Sequence, residues 1–205
     1  MLKYLRIVNG LLETNSYIVF CDKTKEGIII DPCDADKIAD AVDESGITPV
    51  MIVNTHYHAD HVSGNKALKE KYSIPIAIHS DDACYLTSPL NNLEGYGLKS
   101  AGSPPADVIL SDREVVAFGD IKLNVIHTPG HSPGGVCLYY PQEVLFSGDT
   151  LFAMGVGRTD LPGGSEDALI NSIKSRIFNL PDDVKVFPGH GRETTVGKEK
   201  KGKIF

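Results

Sequence analysis

A chain of 205 residues suits one domain of ordinary size, and 1–205 is read as a single unit. Its 41% apolar and 23% charged residues are the balance of a soluble globular protein, and no apolar run reaches the length that crosses a bilayer. The net charge of −7 argues against a nucleic-acid partner, and the scattered Cys21, Cys33, Cys84 and Cys137 make neither a disulfide framework nor a thiolate metal site.

Lys3 and Arg6 put charge where a secretory signal has its apolar core, so the expected location is cytoplasmic, with reduced cysteines. Three short strands are expected at 2–8, 16–20 and 27–30, separated by Asn9-Gly10 and the polar 23–26 as suits antiparallel neighbours. Asp34 can cap a helix over 35–44 with Ile38, Ala41 and Val42 on its buried side, and Gly46 closes it. A strand at 50–53 delivers the stretch Thr55-His56-Tyr57-His58-Ala59-Asp60-His61. A helix over 62–72, a strand over 74–78 and a short helix over 81–86 come next.

Residues 87–106, rich in Gly, Pro, Ser and Asn, read either as a lid or binding loop or as a plain surface excursion. The second half opens with strands at 108–110, 115–118, 121–126, 135–140 and 144–146. Ser165 can cap a helix over 166–180, with Glu166 and Asp167 suiting its dipole and Ile170, Ile173 and Ile177 as its apolar stripe. The last strand, 184–187, runs into Pro188-Gly189-His190. Two similar βα halves, each burying a sheet against the other with helices outside, predict an α/β fold of four layers, αββα.

Three of the seven histidines and one carboxylate thus occupy a single strand-to-helix loop. Alternate side chains of extended backbone share a face, so His56 and His58 can aim at one point. Imidazole and carboxylate are the ligands of zinc, iron and manganese in catalytic sites. His131, Asp149 and His190 each follow a predicted strand and sit beside a glycine, which permits tight turns. Singly each is a loop residue; together they form a ligand set. Asp31 ends a strand and can orient a ligand histidine or simply begin the turn into the helix. His127 lies within a strand and reads as packed, and His79 as a surface or capping histidine.

The pattern His56-x-His58-x-Asp60-His61, followed in order by His131, Asp149 and His190, resembles the metallo-β-lactamase superfamily over nearly the whole chain. The resemblance implies the αββα sandwich with a two-metal site at the sheet edge. His56, His58 and His131 would hold the first cation, Asp60, His61 and His190 the second, and Asp149 would bridge them. Two divalent cations, zinc in the first instance with iron or manganese as the others, lower the pKa of a shared water and stabilise an oxyanion. Asp60 is then also the catalytic residue, accepting a hydrogen bond from that water.

The run Gly157-Arg158-Thr159-Asp160 and the ending from Pro188 to Thr195 are similar to the glyoxalase II-like branch. That likeness implies hydrolysis of a small-molecule thioester such as S-lactoylglutathione. Arg158 becomes a candidate anchor for a substrate carboxylate, or else an internal partner of Asp160. Only 191–205 follow His190, too little for the C-terminal helical glutathione-binding domain of full-length glyoxalase II, and the basic run at 198–203 reads as a solvated tail. The other reading is an iron-dependent persulfide dioxygenase of the same superfamily, with one iron on His56, His131 and Asp149. Partners other than the small molecule, whether nucleic acid or membrane, are not expected, and oligomeric state is not legible.

Overall fold

Unbroken apolar runs such as Ile28-Ile29-Ile30 and Val144-Leu145-Phe146 make strands that are buried on both faces. The computed structural model describes residues 1–88 and 102–202 and arranges such strands in two six-stranded sheets. The first sheet runs in chain order: β1 (Leu2–Asn9), β2 (Thr14–Cys21), β3 (Glu26–Ile30), β4 (Thr48–Val53), β5 (Ile76–His79) and β6 (Val108–Leu110). Its first three strands are antiparallel, joined by short turns. From β3 onward the pairing is parallel. Helix α1 (Ala35–Ser45) makes one crossover, and α2 (Ala59–Val62) with α3 (Asn65–Tyr72) makes the next. Helix α4 (Ser80–Ala83) leaves β5.

The second sheet contains β7 (Val115–Phe118), β8 (Ile121–His127), β9 (Val136–Tyr140), β10 (Val144–Gly148), β13 (Lys185–Pro188) and β14 (Thr194–Thr195). A small hairpin, β11 (Leu151–Phe152) with β12 (Gly155–Val156), stands apart. Helix α5 (Glu166–Ser172) continues as a π-helical turn over Ile173–Ile177 and returns the chain parallel to β10. Helix α6 (Val196–Lys201) follows β14.

Alternation along single strands builds the layers. Ile28 and Ile30 point between the sheets with Tyr17, Val19, Leu123, Val125, Phe146 and Phe187, whereas Ile29 points outward with Ile52 and Ile78 onto Ile38, Val42 and Leu68. On the far side Leu145 and Val186 meet Leu169, Ile173 and Ile177. Three apolar layers between four structural ones are the αββα sandwich expected from element order.

Several boundaries differ from expectation. The helix predicted over 62–72 breaks at Ser63-Gly64, where the Gly64 N–H leaves the helix to donate to the Pro32 carbonyl at 2.9 Å. The strand predicted from 74 begins at Ile76, and the helix predicted over 81–86 is α4, capped by His79 Nδ1 accepting from the Asp81 N–H. The basic run is not a solvated tail through Lys201. Thr195 caps α6, whose Val196 and Glu199 are buried, and Glu199 accepts from the Met154 N–H at 2.8 Å and from the Thr194 hydroxyl. Residues 203–205, and 89–101 of the predicted loop over 87–106, lie outside the described residues. Among the described residues no helix is long and apolar enough to cross a membrane.

Phe187 is 1% exposed between the sheets. Phe187→Ala is expected to cost about 3–5 kcal/mol, read as a fall in the urea midpoint at unchanged slope.

Candidate metal centre

The carboxyl ends of β3, β4, β8, β10 and β13 open on one rim, because these strands share a direction within their sheets. Asp31 directly follows β3, the His56 loop follows β4, His131 lies between β8 and β9, Asp149 follows β10, and His190 lies just beyond β13. Side chains far apart in sequence are therefore brought together. The donor atoms of His56, His58 and His131 all lie within 4.8 Å of one another, and so do those of Asp60, His61 and His190. Asp149 sits between these clusters. Its Oδ1 is 3.5 Å from His61 Nε2, and its Oδ2 is 3.5 Å from His131 Nε2 and from His190 Nε2. All seven residues singled out by the sequence converge.

The outward nitrogen of four of these imidazoles is engaged. His131 Nδ1 donates to the Arg158 carbonyl at 2.7 Å and His190 Nδ1 to the Leu12 carbonyl at 3.0 Å, so each turns Nε2 inward. Asp31 performs the same service for His61, whose Nδ1 donates to Oδ2 at 3.1 Å. The Thr55 hydroxyl donates to the same oxygen at 2.6 Å, so it can only accept from His56 Nδ1, 3.1 Å away. The Thr55 N–H donates to Asp31 Oδ1 at 2.7 Å. Asp31 therefore both starts the turn and orients a histidine, at a left-handed φ of 52° that a non-glycine residue holds only under constraint.

His56 Nε2, His58 Nε2 and Asp149 Oδ1 are buried without a hydrogen-bond partner. Such atoms are costly in a protein interior, and a cation would satisfy the His56 nitrogen and the Asp149 oxygen, while His58 turns its other nitrogen, Nδ1, toward His131 Nε2 at 2.8 Å. The donor set fits divalent metal.

Electrostatics point the same way. Burial and the neighbouring His61 push the His56 imidazole well below its ordinary pKa, and burial with His131 pushes His58 down to about 3. Burial also lowers His131. His61 goes the other way: burial opposes its charge, but Asp60, Asp149 and Asp31 outweigh it and raise the pKa well above the usual range. Burial likewise opposes charge on His190, and the hydrogen bond its Nε2 can donate to Asp60, with the field of Asp149, overcomes it. Burial would raise Asp60, yet His61 and His190 hold its carboxyl far below the carboxylate range.

Other sequence candidates fall elsewhere. The Arg158 guanidinium forks onto Asp160, with Nε and Nη2 each 2.7 Å from an oxygen, while its carbonyl pins His131. His79 is buried and stacks on His127, with centroids 4.0 Å apart and planes 12° from parallel. With Asp81 they bring donor atoms close, but the lone pairs of stacked rings lie in nearly parallel planes, so one ion cannot sit in both planes. No sequence motif marks Thr14, whose hydroxyl donates to Asp60 Oδ2 at 2.9 Å, or the Leu12 and Arg158 carbonyls. Gly189 was visible as a glycine only; a Cβ there would lie 2.2 Å from Asp149 Oδ1 and 2.8 Å from His61 Cε1.

Comparison with known proteins supplies a context. A sequence profile of the metallo-beta-lactamase superfamily matches residues 9–190. "Probable metallo-hydrolase YqgX" of Bacillus subtilis is 35% identical over 97% of this chain and 95% of its own. "Hydroxyacylglutathione hydrolase GloC" of Haemophilus influenzae is 32% identical over 90% of this chain and 89% of its own. Among solved structures, BLEG-1 B3 metallo-beta-lactamase superposes with TM-score 0.89 at 38% identity, covering 96% of both chains. TTHA1623 in a di-iron-bound form gives TM-score 0.89 at 34% identity, covering 98% of this chain and all 100% of that one.

Two outcomes are expected. His61 and His190, raised in pKa by their carboxylate neighbours, hold protons that ligation must displace. Adding zinc to metal-free protein should therefore release protons into a weakly buffered dye solution, and apparent affinity should tighten as the pH rises above about 6.5, the ordinary imidazole value that both rings exceed. A flat profile with no release would show both rings neutral beforehand. Gly189→Ala, which forces its methyl onto Asp149, should lower the metal content of purified protein as measured by mass spectrometry.

Proposed function

The chain belongs to the metallo-beta-lactamase superfamily, and from that membership we propose that it is a metal-dependent hydrolase cleaving a small soluble thioester of the S-lactoylglutathione type. The observation that carries this reading is the pair of donor clusters facing each other across Asp149. His56, His58 and His131 would hold one divalent cation, Asp60, His61 and His190 the other, and Asp149 would span both. Bound, such a pair of zinc, iron or manganese ions supplies Lewis-acid polarisation and a water acidic enough to react near neutral pH.

The chain's own groups do the rest. Thr14 fixes the Asp60 carboxylate through Oδ2, which leaves Oδ1 to take the proton of the attacking water. Water adds to the thioester carbonyl carbon, the C–S bond breaks, and thiolate departs without needing a general acid. Asp31 keeps His61 turned inward throughout, and the Arg158 carbonyl does so for His131.

Two features support thioester over other acyl compounds: the similarity to GloC and the Gly157-Arg158-Thr159-Asp160 run that packs against His131. Arg158 and Asp160 are both more than half exposed, so their fork is an exchangeable pair that a substrate carboxylate can enter at little cost. The dioxygenase alternative would use His56, His131 and Asp149 with a single iron, and the converging Asp60, His61 and His190 are what supports a second cation instead.

The deciding assay compares S-lactoylglutathione with other thioesters and a β-lactam on protein of measured metal content, alongside oxygen uptake with glutathione persulfide. Metal-dependent thioester turnover is expected, with Asp60→Asn lowering kcat by about 10²–10⁴-fold. Arg158→Ala should raise KM for a carboxylate-bearing substrate by about fivefold with kcat held. Oxygen consumption coupled to a single bound iron would overturn the hydrolase reading, and preferential β-lactam cleavage would overturn the thioester.

A further inference from the structure

Asp82 lies on the four-residue helix α4, outside every motif in the sequence, and is fully buried. A carboxylate in that position is tolerable only when donors surround it. Its Oδ2 accepts from the Ser132 hydroxyl at 2.7 Å and its Oδ1 from the Gly134 N–H at 2.6 Å. The backbone N–H of Tyr57 is a third donor. A Cβ on Gly134 would lie 2.6 Å from the Asp82 nitrogen and 2.8 Å from its Cγ, so this approach is as close as glycine alone allows.

The position of those donors matters. Tyr57 stands between His56 and His58, and Ser132 directly follows His131. One carboxylate therefore ties together the two loops that carry the whole first donor cluster, whose His58 Nδ1 and His131 Nε2 are 2.8 Å apart. The second cluster is held by other groups, with Thr14 on Asp60, Asp31 on His61 and the Leu12 carbonyl on His190.

We infer that Asp82 is a positioning residue for the first cation: by clamping the His56–His58 loop to the His131 loop it sets the separation of three imidazoles without touching metal or substrate. The inference rests on the ligand assignment proposed above. It makes the effect of losing Asp82 specific to one of two cations, which a general loss of stability would not be.

Cobalt(II) is the probe, because its visible absorption reports ligand geometry directly and needs no substrate. Asp82→Asn keeps the shape but points an NH2 at donors, and Ser132→Ala removes a single donor. Wild-type protein should take up two equivalents. Asp82→Asn should retain one tight equivalent and bind the other about 10–100-fold more weakly, with altered absorption for that ion alone. Ser132→Ala should shift the same equivalent by less. Circular dichroism of the metal-free proteins checks folding, and if Asp82→Asn does not fold, Ser132→Ala decides. Unchanged affinities and spectra in folded variants, or equal weakening of both ions, would sink the role of Asp82. Failure of the wild type to bind cobalt would instead sink the ligand assignment.

Discussion

Three carboxylates, those of Asp31, Asp60 and Asp149, lie against one another's imidazole neighbours where water scarcely reaches. Like charges at this spacing repel strongly in a weakly polar surrounding, so the arrangement survives only if positive charge is shared among them. In the protein alone these acids raise the pKa of both His61 and His190, which favours a proton on the pair. Every other feature of the rim follows from this demand. The hydroxyls of Thr14 and Thr55, the amide of Thr55 and the carbonyls of Leu12 and Arg158 are all aimed at acids or at the rings that face them.

The sandwich answers a geometric problem that a single sheet cannot. A strand offers one loop at its carboxyl end, and one loop supplies few donors. Two sheets packed face to face bring five such ends to the same edge, and their interior of Phe146, Phe187, Tyr17 and aliphatic residues keeps that edge rigid. The rings of Phe146 and Phe187 lie 5.6 Å apart, and the Tyr17 hydroxyl donates to the Pro188 carbonyl two residues before His190. Core packing and site geometry are thus joined through short stretches of backbone.

Much of this was legible in the residues. Apolar runs announced the strands, and histidine or aspartate beside glycine at strand ends announced the donors, because both signals are local. What stayed hidden depends on distant partners. Nothing near Ile28 and Ile29 says which faces the other sheet. The break at Gly64 reflects a carbonyl 32 positions away, on Pro32. Helix α6 was masked by its lysines, since only the burial of Val196, Gly197 and Glu199 shows that one side is covered. Carbonyl acceptors such as those of Leu12 and Arg158 leave no trace in residue type at all, and Asp82 looks like any surface acid until Ser132 and Gly134 are seen beside it.

The order of strands carries one more implication. Every strand through Leu110 builds one sheet and, the β11–β12 hairpin aside, every strand from Val115 builds the other, yet each donor cluster draws from both: His131 joins His56 and His58, and His190 joins Asp60 and His61. An ion seated in either cluster is therefore a rivet across the seam between halves. By mass action, the free energy of taking up that ion becomes adhesion between the two sheets. Scarcity of metal would then be felt first as a slackening of the whole body along its midline, before any question of turnover arises.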